Sequence, residues 1–412
     1  MTTSMRMAFG KEPIAIKVDP AVDLLTIREP ESQINERLFQ ERLTRFLEAS
    51  ALDLTRTAVV VADKTRLCDY PLYLPILLDK LIEYGAPPEQ VALYIAYGTH
   101  GRQNDEECRQ AYGTSYDRFD WVHHRCDEPE LFEQQGRTSR GTAVRLRKDI
   151  MRASYLITFG AISHHYFAGY GGGRKLIFPG LGEKTAIYAN HGLFLDQRTR
   201  ALAAGCRPGA ISGNPLAEDL DEVEAVRPAD MSIHGILDSR GRVCDLLVGG
   251  GRDFFLQACR QHARSCETAS SRQYDLVVAS CGGFPKDINF IQSHKACHHA
   301  SAFVRDGGRL IVLAQCRDGI GSDTFLPWFD LGGWDAAFDR LSGSYVGNGG
   351  TALAMMAKTR RITIDLITDM DPALAGRFGV GTIPAQQLQS VIDRHQGSMA
   401  VIPNASMLVQ RP

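Results

Sequence analysis

Short apolar runs alternate along the chain with segments in which apolar residues recur at helical spacing. The runs are rich in β-branched residues and lack strict alternation, which is typical of strands buried on both faces. Helical spacing is clearest in Tyr73–Tyr84, which Gly85 follows as a C-cap, and in Asp253–Cys266. The pattern predicts βαβ units, that is, an α/β fold with mostly parallel sheets. The clearest predicted strands are Thr57–Ala62, Val91–Ala96, Tyr155–Phe159, Asp275–Ala279, Arg309–Ala314 and Arg361–Ile367.

A small polar stretch at residues 268–273 (TASSRQ) interrupts this pattern. We therefore predict an N-terminal α/β domain at 1–267 and a C-terminal α/β domain at 274–412, with the active site in the cleft between them. The chain of 412 residues is long enough for each domain to bury its own core. A final strand-like piece, Met399–Pro403, fits either domain.

The amino-acid composition limits the kinds of molecule that this protein is expected to bind. Apolar residues make up 44% of the chain, charged residues 23%, and the formal net charge is -2. This balance predicts no broad surface for nucleic acid or membrane, and favours a small charged molecule instead. The ten cysteines form no CxxC pair, which argues against zinc-ribbon and thioredoxin-like sites. With no signal-like or membrane-spanning apolar stretch, we expect a cytoplasmic protein with reduced thiols.

Polar and charged side chains follow the predicted strands, at the end where parallel sheets bind ligands. Because the carboxyl ends of parallel strands share one edge of a sheet, we expect these groups to converge. They include carboxylate, guanidinium, imidazole, amide and ammonium groups. The residues are Asp63 and Arg66 after the first strand, His100 after the second, His164 and His165 after the third, and Asn289, Gln292 and Lys295 in the second domain.

The most distinctive segment reads HYFAGYGGGRK. Its glycines Gly171, Gly172 and Gly173 would let backbone N–H groups approach an anion, and Arg174 and Lys175 add positive charge. The spacing matches neither a Walker A loop nor the GxGxxG dinucleotide fingerprint. The residues alone fit an anion-binding loop and a glycine-rich surface turn with solvated cations equally well.

The histidines also leave alternatives open. His100 could be catalytic, because it follows a strand in a Gly-Thr-His turn, or structural. His191 could cap a helix or bind a metal ion. A zinc site that draws on His164, His165 and His191 is a further alternative at this point.

Taken in order along the chain, these segments resemble the nickel-dependent lactate racemase family of the LarA type. Each motif is weak alone, but the ordered set is specific and reaches across both predicted domains. The motifs are DxxR at 63–66, GTH at 98–100, HxxAGxxGGRK at 165–175, PG at 179–180, NH at 190–191 and GGFPKDINFIQSHK at 282–295.

The resemblance implies a nickel-pincer nucleotide as cofactor, namely nickel pyridinium-3,5-bisthiocarboxylic acid mononucleotide. It further implies that Lys175 holds this nucleotide through a thioamide and that His191 binds the nickel ion. Gly171–Gly173 and Arg174 would lie near the cofactor, and Asp63 would belong to the same site. Separate cofactor-biosynthesis enzymes would be the partners that load the chain.

For activity, the resemblance implies an isomerase, a racemase or epimerase that inverts C2 of a 2-hydroxy acid. His100 and His165 match the paired acid/base histidines. Arg66 matches an arginine that contacts the substrate, and Gln292 and Lys295 match polar groups that close the site from the second domain. Removing the C2 hydrogen as a hydride gives a planar keto acid and avoids a carbanion beside a carboxylate, and a pyridinium ring can accept that hydride.

The chain departs from the lactate-selective pattern at two places. Ile291 stands where an aromatic residue is expected, and the stretch 349–358 contains no tryptophan. The substrate is therefore expected to be lactate or a larger 2-hydroxy acid, such as malate, an aromatic hydroxy acid or a sugar acid, with His294 and Asn289 as further polar contacts. The alternatives are a zinc-dependent hydrolase or lyase and a nucleotide-binding protein without turnover.

Overall fold

The computed structural model describes residues 2–31 and 33–411, and it contains two six-stranded sheets. In the first sheet all neighbouring strands are parallel except the first two, which form an antiparallel hairpin. Every residue of its central strand Thr57–Ala62 is buried, as expected for a strand covered on both faces. The strand order is Val243–Gly249, Met231–Leu237, Tyr155–Ala161, Thr57–Ala62, Val91–Ala96, Asp120–His123.

In the second sheet all neighbouring strands are parallel. Alternate residues of its central strand pack into two different apolar clusters, Val277 and Ala279 on one face and Leu276 and Val278 on the other. The predicted two-domain α/β architecture with mostly parallel sheets is therefore confirmed. The strand order is Gly381–Thr382, Thr363–Ile367, Val304–Leu313, Tyr274–Ser280, Met399–Ile402, Asp23–Leu24.

Helices cover both sheets. The α-helices before residue 270 are Glu36–Glu48, Tyr70–Glu83, Asp105–Tyr112, Ser115–Arg118, Lys148–Arg152, Arg174–Ile177, Lys184–Gly192, Pro215–Val226 and Gly251–Cys266. Those after it are Phe290–Ser301, Trp334–Gly343, Gly349–Thr359, Pro372–Gly376 and Leu388–Arg394. Short 3-10 helices span Pro88–Gln90, Pro129–Leu131, Leu326–Leu331 and Ala385–Gln387.

Five two-stranded ribbons complete the described part of the chain. They pair Thr3–Met7 with Ile14–Val18, Phe132–Arg137 with Ala143–Arg147, Ser163–His165 with Gly169–Gly171, Leu195–Asp196 with Ala201–Leu202, and Glu267–Thr268 with Val409–Gln410. The last ribbon lies at the predicted domain boundary, so the C-terminal strand is paired to the connection between the two sheets. The boundary itself, between 267 and 274, stays a prediction.

The N-terminal segment corrects the predicted division, which assigned all of 1–267 to the first domain. Asp23–Leu24 forms an edge strand of the second sheet, beside Met399–Ile402. The ribbon of Thr3–Met7 and Ile14–Val18 packs its buried residues onto one face of that sheet. An edge strand of two residues is too short to produce a readable period in the sequence, which is why the pattern missed it. In the residues that the structure describes, no helix is both long and apolar enough to cross a membrane.

Candidate active site

A cavity of about 570 Å³ lies between the two domains, at the carboxyl ends of the strands of the first sheet. This volume is in the range of small-molecule sites. Residues after strands of the first sheet form one side, and a helix and two loops of the second domain form the other. The predicted site residues that line it are Asp63, Arg66, His100, His165, Gly172, Lys175, His191, Gln292 and Lys295.

Sheet topology brings the first of these groups together. The strands Tyr155–Ala161, Thr57–Ala62 and Val91–Ala96 are parallel neighbours, with Ala62 in register with Ala96. Loops that leave their carboxyl ends are therefore adjacent in space although they lie far apart in sequence. The result is direct contact between Asp63 and His100, which the sequence motifs did not predict.

Asp63 and His100 form a hydrogen-bonded pair, with 2.6 Å between Asp63 Oδ2 and His100 Nδ1. Burial opposes ionisation of Asp63, but the hydrogen bond from His100 and the positive charges of His100 and Arg66 outweigh it and lower the pKa of the carboxyl group. The backbone N–H of Thr65 also donates to Asp63 Oδ1, at 2.8 Å. Since an ionised carboxylate only accepts, His100 carries a proton on Nδ1, and Nε2 of the neutral ring is left as a base.

His165 lies at the end of a tight hairpin, Ser163–His165 with Gly169–Gly171. Gly169 has φ of +73°, and a Cβ there would lie 2.1 Å from the carbonyl oxygen of Ala210, so only glycine fits this turn. The backbone N–H of Ala168 donates to His165 Nδ1 at 3.3 Å. The neutral ring of His165 therefore carries its proton on Nε2, in contrast to His100.

Burial and nearby cations hold His165 in its neutral form. Removal from water, together with the charges of Lys175, Arg66 and His191, lowers the pKa of His165 well below its ordinary value. The two imidazoles thus differ in environment, since His100 faces a carboxylate and His165 faces cations. The groups around His165 therefore disfavour its protonation, whereas His100 donates a hydrogen bond to Asp63.

Lys175 is 6% exposed and lies in the short helix Arg174–Ile177. No carboxylate of residues 2–31 or 33–411 comes within ion-pair distance of its ammonium group. Burial, followed by repulsion from Arg66, Arg174 and Lys295, lowers the pKa of Lys175 well below its ordinary value. This lowered pKa favours the neutral amine form of Lys175.

His191 lies in the last turn of the helix Lys184–Gly192 and packs edge-on against Phe167. Its Nδ1 is buried and makes no hydrogen bond of good geometry in the described structure. Burial, then the charge of Lys175, lowers the pKa of His191 to about 3, while the backbone of Ile187 opposes this shift. A neutral imidazole with a free nitrogen is the form that binds a metal ion.

The second domain contributes one face of the helix Phe290–Ser301. Gln292 and Lys295 are three residues apart, and Lys295 Nζ donates to Gln292 Oε1 at 2.8 Å. Burial, then Arg66, lowers the pKa of Lys295 to about 8, while Asp63 opposes this shift. Ile291 and His294 also line the cavity. Asn289 instead caps the helix, accepting a hydrogen bond from the backbone N–H of Gln292 at 3.0 Å.

Arg174, predicted to bind the cofactor, does not border the cavity. Its guanidinium is buried beside Asp221, with 2.9 Å between Arg174 Nε and Asp221 Oδ1, and stacks 4.7 Å from the centroid of Phe255. Gly173 touches the same ring, since a Cβ there would lie 2.5 Å from Phe255. Gly171 is a strand residue of the hairpin and is also absent from the cavity wall. Of the three predicted glycines, only Gly172 lines the cavity.

The histidines suggested for a zinc site do not converge. His164 turns away from the cavity, and its Nε2 lies 3.0 Å from Glu267 Oε1 while its Nδ1 lies 3.2 Å from His262 Nε2. Within the described ranges, no three His, Cys, Asp or Glu side chains are grouped to hold a metal ion. A zinc site built on His164, His165 and His191 is therefore wrong.

Several residues of the cavity wall were not found from the sequence. Ser322 and Thr324 lie in the loop that follows the strand Val304–Leu313. The rule that ligands bind at strand ends would have pointed to this loop. The others have no motif or fixed spacing that marks them. They are Tyr166, Tyr188, Tyr345, Asn348 and Thr351.

The charge of the cavity indicates what it can bind. Among the described lining residues, Asp63 is the sole carboxylate, and it is already paired with His100. The cations are Lys64, Arg66, Lys175 and Lys295, and of these only Lys64 is paired, with Glu107. This excess of basic over acidic side chains in the cavity favours an anionic ligand. The fold and cavity thus define a two-domain α/β protein with an anion-binding cleft between its domains.

Comparison with known proteins gives the family. The family model of the lactate racemase N-terminal domain matches residues 4–203, and that of the lactate racemase C-terminal domain matches residues 269–333. Together the two models cover more than half of the chain. The protein belongs to the lactate racemase family, a family of isomerases.

Two curated relatives are similar in sequence. The lactate racemase of Thermoanaerobacterium thermosaccharolyticum is 28% identical over 289 residues, which cover 69% of this chain and 66% of the relative. The lactate racemase of Lactiplantibacillus plantarum is 28% identical over 283 residues, covering 68% and 64%. The match thus spans slightly less than two thirds of either relative.

Two solved structures share the fold. The lactate racemase apoprotein from Thermoanaerobacterium thermosaccharolyticum aligns over 100% of both chains with a TM-score of 0.87 and 22% identity. A protein from Thermotoga maritima aligns over 93% of this chain and 100% of its own, with a TM-score of 0.72 and 15% identity.

The burial of Arg174 leads to a stability prediction. Replacing Asp221→Asn removes the counter-charge of a fully buried guanidinium, so the free energy of unfolding should fall by about 3–5 kcal/mol. Urea denaturation followed by circular dichroism measures this change. Arg252 pairs with the same carboxylate from an exposed position, so Arg252→Gln is the matched control and should cost less than about 1 kcal/mol. An unchanged unfolding free energy in Asp221→Asn would contradict the structural role of Arg174.

Proposed function

We propose that this protein is a racemase or epimerase that inverts C2 of a 2-hydroxy acid, with lactate or a larger acid as substrate. One observation carries the proposal. His100, His165, Lys175 and His191 all border a single cavity that has an excess of positive charge. Family membership supports the same reaction class, since the curated relatives are named lactate racemases.

We propose a nickel-pincer nucleotide as the cofactor, because the residues present fit it. Among the described residues, Lys175 is a buried amine without a counter-ion, and the buried Nδ1 of His191 makes no hydrogen bond of good geometry. Lys175 would hold the nucleotide through a thioamide, for which the amine must be neutral, and His191 would bind the nickel ion. When bound, the group supplies a pyridinium ring that accepts a hydride from C2 and returns it. Gly172 lines the same cavity as Lys175 and His191, so its backbone would lie near the cofactor.

The substrate carboxylate would be held by Arg66 and Lys295, which reach the cavity from different domains. A guanidinium can grip a carboxylate with two hydrogen bonds, and an ammonium adds a point charge. These contacts with the carboxylate must persist while C2 becomes planar and exposes its other face. Gln292, which accepts a hydrogen bond from Lys295, would keep the ammonium in place.

The two histidines would move the hydroxyl proton. Oxidation at C2 releases the proton of the hydroxyl group, and the two enantiomers present that group on opposite sides, so two bases are required. Asp63 would stabilise an imidazolium at His100. His165, kept neutral by the surrounding cations, would serve the other enantiomer.

We also propose that separate cofactor-biosynthesis enzymes load the chain, and that it works in the cytoplasm. All ten cysteines are free thiols, and all but Cys126 are buried. This state suits a reducing compartment.

The decisive experiment is to express the full chain with the cofactor-biosynthesis enzymes and to analyse it by peptide mass spectrometry. A nucleotide adduct should map to Lys175 and be absent from Lys175→Arg, which keeps the charge but cannot form the thioamide. In D₂O the loaded protein should invert its 2-hydroxy acid without deuterium at C2, because a hydride is returned to the same carbon. Deuterium at C2 would indicate proton abstraction instead and would reject the mechanism.

Replacing His100→Ala or His165→Ala should each lower kcat in both directions by about 10²–10⁴-fold, since either direction uses both imidazoles. Chiral chromatography of the two enantiomers measures this loss. His395→Ala, which removes a half-buried histidine whose ring bonds to the Ser398 carbonyl, outside the cavity, is the control and should stay within about twofold of the unaltered protein. Near-normal turnover by either cavity variant would show that the pair is wrongly assigned.

Asp63 should act as a positioning residue. In Asp63→Asn the amide no longer holds the proton on His100 Nδ1, so Nε2 loses its role as base and kcat should fall about 10³-fold. The thermal midpoint and the yield of the Lys175 adduct should change little, which separates positioning from folding. Asp53 makes the same turn with Thr55 but lies exposed, so Asp53→Asn is the matched control. A loss of adduct in Asp63→Asn would indicate a different role.

A further inference from the structure

The wall that the second domain adds to the cavity contains a cluster of uncharged polar side chains. Ser322 and Thr324 come from the loop after the strand Val304–Leu313, and Asn348 and Thr351 from the start of the helix Gly349–Thr359. None of these four belongs to the motifs that carry the family resemblance. We call them the polar wall.

Hydrogen bonds within the polar wall use some of its groups and leave others free. Asn348 Nδ2 donates to Ser322 Oγ at 2.8 Å and to Thr324 Oγ1 at 3.0 Å. The backbone N–H of Asn348 also donates to Thr324 Oγ1, at 3.2 Å. The backbone N–H of Thr324 likewise donates to Ser322 Oγ, at 3.4 Å, so each of the two hydroxyl oxygens already accepts two hydrogen bonds. Ser322 Oγ and Thr324 Oγ1 lie 3.1 Å apart, and either hydroxyl can donate to the other.

Two groups are then left for a ligand. Only one of the two hydroxyl hydrogens of Ser322 and Thr324 is used between them, so the other has no acceptor in this network. No donor from the described part of the chain reaches Asn348 Oδ1. The wall thus offers one donor beside one acceptor. A hydroxyl group, which both donates and accepts, matches this pair.

A second hydroxyl pair continues the same surface toward the acid/base histidines. Tyr166 Oη and Thr351 Oγ1 lie 3.2 Å apart. The Tyr166 ring stacks on His165, with 5.3 Å between ring centroids. Only one of the two hydroxyl hydrogens is used between Tyr166 and Thr351, so the other can bond to a ligand. The polar groups therefore extend away from the place where C2 would react.

Other substrate classes fit this wall poorly. A second carboxylate would face Asn348 Oδ1 with no charged partner in the wall, which disfavours a dicarboxylic acid. An alkyl or aryl chain would offer no partner to the remaining hydroxyl hydrogen of the Ser322–Thr324 pair or to the acceptor of Asn348. Hydroxyl groups along the carbon chain would satisfy both.

We propose that the polar wall binds hydroxyl groups at C3 and beyond, so that the substrate is a polyhydroxylated 2-hydroxy acid of the sugar-acid class and the reaction is an epimerisation. This inference rests on the proposed function, because it takes C2 to lie between the two histidines. Arg66 and Lys295 hold the carboxylate at one end, and the polar wall holds the hydroxylated chain at the other.

The test uses the loaded full chain and five probes, namely gluconate, glycerate, lactate, malate and 3-phenyllactate, with C2 inversion followed by NMR. We expect kcat/KM for gluconate to exceed that for lactate by at least about tenfold. Ser322→Ala and Asn348→Leu should each reduce that ratio about threefold to tenfold, the effect of one neutral hydrogen bond, and leave lactate turnover unchanged. Ser342→Ala is the matched control, since Ser342 lies outside this cavity. A preference for lactate, malate or phenyllactate would overturn the proposal.

Calorimetric titration of the unloaded chain separates this inference from the proposed function. If the chain binds gluconate more tightly than lactate, and Ser322→Ala removes the difference, the polar wall is supported even where the loaded chain inverts no hydroxy acid and the proposed function fails. If lactate is inverted but neither turnover nor binding favours gluconate, the proposed function holds and the polar wall is rejected.

Discussion

The buried amino group of Lys175 is the constraint on which the rest of the site depends. It lies among Arg66, Arg174 and Lys295, and an isolated charge in such a place costs several kcal/mol. Burial and the neighbouring cations lower the pKa values of Lys175 and His165, which favours the neutral form of each and reduces this cost. The chain relieves another part by neutralising Arg174 with Asp221, away from the cavity. The remaining positive charge favours an anionic ligand, because binding an anion would reduce the repulsion among the cations of the cavity.

Because these cations come from both domains, the relative position of the domains sets the strength of the field. Arg66 and Lys175 belong to the first domain, and Lys295 lies on a helix of the second. The strand Glu267–Thr268, at the predicted domain boundary, pairs with the C-terminal strand Val409–Gln410. Glu267 also contacts His164, the neighbour of His165. The segment at the predicted boundary is therefore in direct contact with the hairpin that contains His165.

Features that depend on neighbouring residues in the chain could be predicted from the sequence. Features that depend on contacts between distant segments could not. Apolar runs predicted the central strands, because a strand buried on both faces must be apolar throughout. The strand-end rule then grouped Asp63, His100 and His165 on one edge. The pattern could not show that Arg174 packs on Phe255, since a buried and a ligand-binding arginine look alike in sequence. Nor could it show the hydrogen bond between Asp63 and His100, which depends on two strands being neighbours.

The two family models cover the residues proposed for the reaction at C2, but not all of those proposed for substrate selectivity. The N-terminal family model covers 4–203, which contains the histidines proposed as acid and base, the lysine proposed to hold the cofactor and the histidine proposed to bind nickel. The C-terminal model ends at residue 333, before Tyr345, Asn348 and Thr351. Family membership therefore supports the mechanism proposed at C2. It carries no information on the part of the polar wall that would contact the rest of the substrate. That wall has to be interpreted from its own hydrogen-bond donors and acceptors, and these favour hydroxyl groups over the methyl group of lactate.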